Sequence, residues 1–138
     1  MLCQNKNRRL GMLDDLTNLQ ALLKDSTLLA TRGYIAGEWC DGENGKTFPV
    51  FNPARGDVIT DVADISRTQT AEAISIAEKA QKLWAARPAK ERSNLLRNWY
   101  NLMMENQEDL ATILTAEQGK PIEEAKGEIA YGASFIEF

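Results

Sequence analysis

At 138 residues the chain is long enough for one hydrophobic core, because a compact domain of that size buries roughly two-thirds of the surface its unfolded form exposes. Its composition, 43% hydrophobic and 26% charged with 20 acidic against 16 basic residues, is that of a soluble globular protein and argues against a polyanion such as nucleic acid as a partner. With no histidine, and with Cys3 and Cys40 outside any C-x-x-C pair, it also excludes a zinc site and a Cys–His nucleophile, and it fits a reducing, cytoplasmic setting.

The first eleven residues, MLCQNKNRRLG, are basic and polar, and Gly11, Asp14 and Asp15 prevent an apolar run of signal-peptide length. Those acids, with Asp25, also count against a transit peptide, and Met12 offers a second start. No stretch reaches the roughly 20 apolar residues that a membrane-spanning helix needs. Leu13, Leu16, Leu19 and Leu23, followed by Leu28 and Leu29, predict an amphipathic helix or packing arm within residues 1–30.

From Tyr34 the period changes. Tyr34 to Trp39 reads as a short strand, Asp41 to Gly45 as a turn, and Thr47 to Phe51 as the returning strand, with Pro49 marking an edge. Asn52-Pro53-Ala54-Arg55-Gly56-Asp57 reads as a second turn, after which Val58 to Val62 continues extended. A small antiparallel sheet is the expectation.

Four helix patterns follow. Ser66 and Gln69 have the spacing of a capping box, opening a helix with Ala73, Ile76, Ala77, Ala80 and Trp84 on one stripe. Pro88 interrupts, and the next helix is predicted to bury Leu95, Trp99, Leu102 and Met103. Asn106 with Asp109 reads as a fresh cap for a helix bearing Leu110, Ile113 and Leu114. Gly119 then supplies a stop, and Pro121 opens a last helix with Ile122, Ala125, Ile129, Ala133 and Ile136 on one side, running to Phe138 without a terminating signal.

The hairpin, the Asn52-Pro53-Ala54 turn, the capping box and Glu117-Gln118-Gly119-Lys120-Pro121, in this order, resemble the aldehyde dehydrogenase superfamily. From about Tyr34 to Phe138 the chain most resembles the N-terminal part of succinate-semialdehyde dehydrogenases, with glutarate-semialdehyde dehydrogenases as close relatives. The resemblance implies an α/β fold in which residues 31–138 form the opening part of the cofactor-binding domain, incomplete at its C-terminal side. It further implies NAD- or NADP-dependent oxidation of an ω-carboxy aldehyde by a homo-oligomer. The family's nucleophilic cysteine, general-base glutamate, oxyanion asparagine and nucleotide-binding turn would lie beyond position 138. No catalytic or cofactor-binding residue is therefore assigned here, and these residues alone are not expected to bind the cofactor well.

Two features carry over from the resemblance. A monovalent cation would be held by backbone oxygens of Val50 and Phe51 and by the Glu117 carboxylate, an oxygen set that suits a hard ion. Phe135, near Glu128 and Tyr131, would line the path of the aldehyde, the alternative being that it packs within the helical layer.

Other candidates read as structural. Cys40 lacks a neighbouring base or a Gly-rich frame and is expected at a hairpin edge. Glu123, Glu124 and Glu128 alternate with Lys120 and Lys126 and predict a charge-balanced solvated face. Trp84, Trp99, Tyr100 and Tyr131 fall on helix stripes and are expected in packing rather than base stacking, and Glu91 among Lys90, Arg92 and Arg97 disfavours a phosphate patch.

Two function classes follow: a fragment of a semialdehyde dehydrogenase, inactive alone, or a non-catalytic helical module docking to another chain through unsatisfied stripes. An unrelated small helical protein is disfavoured by the shared order of motifs.

Overall fold

The computed structural model describes residues 18–137. Expectations that rest on Cys3, Leu13, Leu16 and Phe138 fall outside that range. The described chain is α/β, as its family resemblance implied. A short helix α1 (Leu19–Leu22) and a 3-10 turn (Ser26–Leu28) precede four strands, β1 (Gly33–Ile35), β2 (Glu38–Cys40), β3 (Thr47–Phe51) and β4 (Val58–Ala63). The helices α2 (Arg67–Ala85), α3 (Ala89–Glu105), α4 (Gln107–Gln118) and α5 (Ile122–Glu137) follow.

The strands depart from the expected single sheet. Tyr34 to Trp39 is not one strand but a complete hairpin, β1 against β2, with Tyr34 opposite Trp39. Ala36 and Gly37 form its turn with φ of 57° and 88°. Positive φ at both central residues matches the right-handed twist of flanking strands, but an alanine there is uncommon, so the alternating pattern alone conceals the reversal. Thr47–Phe51 consequently pairs with Val58–Ala63 as a second two-stranded sheet.

The turn between β3 and β4 forms as its residues predict. Asn52, only 8% exposed, accepts the amide hydrogens of Ala54 and Arg55 at its side-chain oxygen (2.9 and 3.3 Å), while Gly56 takes φ 79°. A β-irregularity sits at Val50 and Phe51, where Phe51 pairs with Val58 although Val50 pairs with Thr60.

The Ser66–Gln69 capping box is present in full, with bonds of 3.2 and 3.0 Å. Gln69 reaches further: its carbonyl oxygen also accepts from the amide of Glu43 (3.1 Å), and its amide nitrogen donates to the carbonyl of Asp41 (2.9 Å). One side chain thus caps α2 and fastens it to the loop after β2. At the other end, the Arg92 guanidinium donates to the carbonyls of Ala85 and Arg87 (3.2 and 2.6 Å), bracing the bend at Pro88.

Helix α5 is the centre of the helical layer, packing on both α3 and α4. Its predicted face is the one used: Ala125 and Ala133 are fully buried, and Ile122, Ile129 and Ile136 are half-buried. Ala111 of α4 is also fully buried. Small side chains allow close helix approach, but they contribute little apolar area. No large side chain of the described residues is fully buried.

Two helix expectations are corrected. The face of α3 turned inward carries half-buried Leu96, Tyr100, Met103 and Met104, whereas Leu95, Trp99 and Leu102 are exposed. Large apolar residues sit at adjacent positions on this helix, so two stripes about 100° apart compete, and contact with α5 selects between them. Asn106 and Asp109 do not form a cap either. The Asn106 side chain donates to the carbonyl of Leu102 (2.9 Å), and the Asp109 carboxylate accepts the amide hydrogens of Lys24 (3.1 Å) and Asp25 (2.8 Å). Leu19 and Leu23, 5 and 8% exposed, complete that attachment, and α1 packs on α4.

Candidate functional site

The sequence positions singled out for a cation lie on two segments far apart in the chain. Val50 and Phe51 end β3; Glu117 lies in the last turn of α4. Gly119, left-handed at φ 72°, terminates α4 and accepts no larger residue freely, because a Cβ there would sit 3.3 Å from Cγ of Pro53. Pro53 lies two residues beyond Phe51, and Gly119 two beyond Glu117. Their contact therefore brings the end of β3 beside the end of α4.

That corner is electrostatically suited to a cation. The last carbonyls of a helix carry its partial negative charge, and Glu117, exposed, adds a full one. The local break in the β3–β4 ladder falls at Val50 and Phe51, the residues whose carbonyls are the candidate ligands. Among the described residues no group of three or more His, Cys, Asp or Glu side chains could hold a metal. The donors on hand are oxygens with a single carboxylate, which suits a hard ion and not a soft transition metal.

Phe135 projects from the outer side of α5 and is 66% exposed, so it does not pack within the helical layer. Its ring meets that of Tyr131, itself 67% exposed, edge to face at 4.8 Å between centroids. This pair forms an apolar ridge on the surface. Tyr131 and Trp99 are accordingly not core residues, contrary to the packing expectation, while Trp84 and Tyr100 are half-buried.

The remaining candidates behave structurally. Cys40 ends β2, and its thiol lies 3.6 Å from the carbonyl of Glu38. Two acids of α5, Glu123 and Glu128, are matched by lysines. Lys126 bridges Glu108 of α4 (2.8 Å) and Glu123 (3.1 Å), and Lys120 pairs with Glu128. Hydrogen bonds from Lys126 to Glu108 and then Glu123 raise the ammonium above the usual lysine range. Arg97 pairs with Glu137 and lies over the Tyr100 ring at 5.4 Å, so it is committed to the α3–α5 contact and not to a phosphate patch.

Sequence reasoning missed one concavity, an open groove of about 310 Å³ lined by Thr27, Leu29, Ala30, Thr31, Arg32 and Trp39. Arg32 there is bonded to Asp41 (2.7 Å), which neutralises the cation a ligand would seek. No spacing in the sequence announces this groove, because the hairpin reversal creates it.

The aldehyde dehydrogenase family model matches residues 39–138. Glutarate-semialdehyde dehydrogenase of Pseudomonas putida is 55% identical over 116 residues, 84% of this chain and 24% of that protein. Succinate-semialdehyde dehydrogenase [NADP(+)] GabD of Escherichia coli is 52% identical over the same length, again 24% of its own chain. The mitochondrial succinate-semialdehyde dehydrogenase of Arabidopsis thaliana is 43% identical over all 138 residues, 26% of its length. Among solved structures, an E. coli NADP-dependent enzyme superposes with a TM-score of 0.81 at 52% identity, covering 83% of this chain and 24% of that one. Succinate-semialdehyde dehydrogenase from Burkholderia pseudomallei gives 0.80 at 50% identity, with the same coverage. The chain spans about a quarter of the length of the curated relatives it matches.

Proposed function

We propose, for a chain that belongs to the aldehyde dehydrogenase family, that it contributes the N-terminal part of an NAD(P)-dependent enzyme oxidising succinate or glutarate semialdehyde to the dicarboxylate. The observation that carries this reading is identity above 50% to semialdehyde dehydrogenases over one continuous stretch with matching fold. The small-molecule aldehyde is the partner of that reaction, in a cytoplasmic homo-oligomer.

Residues 1–138 do not perform the reaction by themselves. Aldehyde oxidation needs an activated thiolate, oxyanion donors, a base for thioester hydrolysis and a placed nicotinamide. The thiol of Cys40 meets the backbone carbonyl of Glu38, which is no general base, the chain contains no histidine, and no Gly-rich phosphate-binding turn occurs in it. What these residues supply is scaffold. The carbonyls of Val50 and Phe51 with Glu117 hold a monovalent cation, a role supported by the Pro53–Gly119 contact and the negative end of α4. Phe135 borders the route of the aldehyde, supported by its outward, aromatic-paired exposure.

The test is a chimera in which residues 1–138 replace the matching stretch of the P. putida enzyme, assayed with both semialdehydes and both nucleotides beside the 138-residue chain alone. Turnover by the chimera with none from the chain alone supports the reading. An inactive but folded chimera overturns it. Replacing potassium by choline should lower the chimera's thermal midpoint, and Glu117→Gln should abolish that difference.

A second reading, a non-catalytic helical module that binds another chain, is favoured by the exposed Leu95, Trp99 and Leu102. Binding by the chain to a partner, together with an inactive chimera, would select it.

A further inference from the structure

The loop between β2 and β3 holds two dipeptides of one chemical type, Asp41-Gly42 and Asn44-Gly45. In each, the side-chain carbonyl carbon is within ring-closing reach of the next residue's amide nitrogen, and a glycine, lacking Cβ, leaves that nitrogen unshielded and its backbone free to turn. The structure treats the two differently. The Asp41 carboxylate is held by Arg32 at 2.7 and 3.3 Å, and a carboxylate anion is a poor electrophile. Gly42 is buried, and a Cβ there would lie 2.3 Å from the carbonyl oxygen of Lys46 and 2.6 Å from that of Asp64, so its backbone has no room to rotate. Asn44 and Gly45 instead lie in an exposed 3-10 turn (Glu43–Gly45), both left-handed with φ of 59° and 71°. Nothing lies within 4 Å of where a Gly45 Cβ would be. One turn bond restrains the attacking nitrogen, from the Gly45 amide to the Gly42 carbonyl (2.8 Å), and its opening breaks no strand or long helix.

We propose that Asn44 is a self-modification site, converted by cyclisation and water into aspartate and isoaspartate. The Gly45 amide nitrogen, its proton passed to hydroxide, attacks Cγ of Asn44; an N–Cγ bond closes a succinimide ring, and the side-chain nitrogen leaves as ammonia with a proton from water. A second water then opens the ring. Breaking the new N–Cγ bond gives aspartate, and breaking the original peptide C–N bond gives isoaspartate; nothing is oxidised or reduced. No other asparagine precedes glycine. Asn52 precedes Pro53, whose nitrogen carries no hydrogen, and Asn94, Asn98 and Asn101 lie within α3, where backbone amides are tied into the helix. Isoaspartate routes the main chain through the former side chain and so adds an atom to it between two fastenings. Before it, Gln69 accepts from the amide of Glu43 (3.1 Å) and donates to the carbonyl of Asp41 (2.9 Å). After it, the Lys46 carbonyl accepts from the amide of Asp64 (2.9 Å). The insertion puts these out of register and loosens the attachment of α2 to the loop. The reaction needs only this loop and water, whichever aldehyde the enzyme takes.

The test ages the 138-residue chain, and beside it the chimera, in warm, mildly alkaline buffer made with heavy-oxygen water. Peptides are then mapped by mass spectrometry with electron-transfer fragmentation, which separates aspartate from isoaspartate. Asn44 should take up heavy oxygen and convert about tenfold faster or more than Asn94, Asn98 and Asn101, the effect on a rate of one modest opening step. Asp41 should isomerise in the urea-unfolded chain and stay intact in the folded one. An Asn44 that survives as long as the helical asparagines overturns the proposal, and so does Asp41 isomerising in the folded chain as fast as Asn44 converts. Conversion in the chimera extends the site to the complete enzyme, whereas an Asn44 protected there overturns it as a site of that enzyme. The isoaspartyl form, separated by anion exchange through its added charge, should melt below the fresh chain. Asn44→Asp, which gains the same charge on an ordinary backbone, should melt close to it, and Asn44→Gln should keep its midpoint on ageing. Equal midpoints for the isoaspartyl and fresh forms would overturn the loosening of α2.

Discussion

The carboxylate of Asp109 holds the backbone of Asp25, 84 residues earlier, by accepting its amide hydrogen at 2.8 Å, and takes that of Lys24 at 3.1 Å. At 5% exposure it is a charged group removed from most water, retained because two donors satisfy it.

Asp109→Ala should therefore release the arm. Two amide hydrogens would lose a charged acceptor, and because Lys24 and Asp25 are exposed residues that water can reach, the cost is that of the lost bonds, about 1.5–3 kcal/mol for hydrogen bonding to a charged group. Urea unfolding should show a loss in that range, and hydrogen exchange at Lys24 and Asp25 should accelerate while α5 stays protected. Unchanged exchange at both amides would show that the apolar contacts of Leu19 and Leu23 suffice.

Gln69→Ala should be worse than the loss of an ordinary cap. A capping residue contributes about 0.5–2 kcal/mol, and Gln69 additionally serves Glu43 and Asp41. The thermal midpoint should fall further than in Ser66→Ala, which removes only the local bond to Gln69. Equal shifts in the two variants would mean that the bridges to the loop contribute nothing measurable.

Two glycines should respond in opposite directions to alanine. A Cβ at Gly42 would lie 2.6 Å from the carbonyl oxygen of Asp64, and nearer still to that of Lys46, so backbone must move. Overpacking of this kind costs about 1–3 kcal/mol or more. At Gly127, within α5, a Cβ meets nothing within 4 Å, and the helix should gain about 0.5–1 kcal/mol. Chemical denaturation of the pair checks both signs.

The turn after β3 should weaken in acid. Hydrogen bonds from Arg55 (2.8 and 2.7 Å) hold the Asp57 carboxyl below its usual range. A carboxylate whose folded pKa is depressed contributes stability that is present above its unfolded pKa and lost as pH falls through the folded one. Carboxyl carbon shifts followed by NMR should give a midpoint for Asp57 below that of a free aspartate, and Arg55→Gln should move it upward. Lys126 has the opposite sign: its raised pKa gives stability that is full below the unfolded lysine value and is lost as pH rises through the folded one.

Features whose cause is local were legible in the chain itself. The capping box at Ser66 and Gln69, the left-handed stop at Gly119 and the inward face of α5 follow from side chains within a turn or two of one another, where spacing is geometry. The candidate cation and tunnel positions, Val50, Phe51, Glu117 and Phe135, became visible only through resemblance, since two strand residues and a surface glutamate carry no pattern of their own. Tertiary structure decided what depends on distant partners. It turned Asp109 from a cap into an anchor, because the amides it satisfies are remote in sequence, and chose between the two stripes of α3, because only contact with α5 breaks their near-equivalence. It also brought Pro53 against Gly119, joining the ends of β3 and α4 at one corner that neither segment specifies alone.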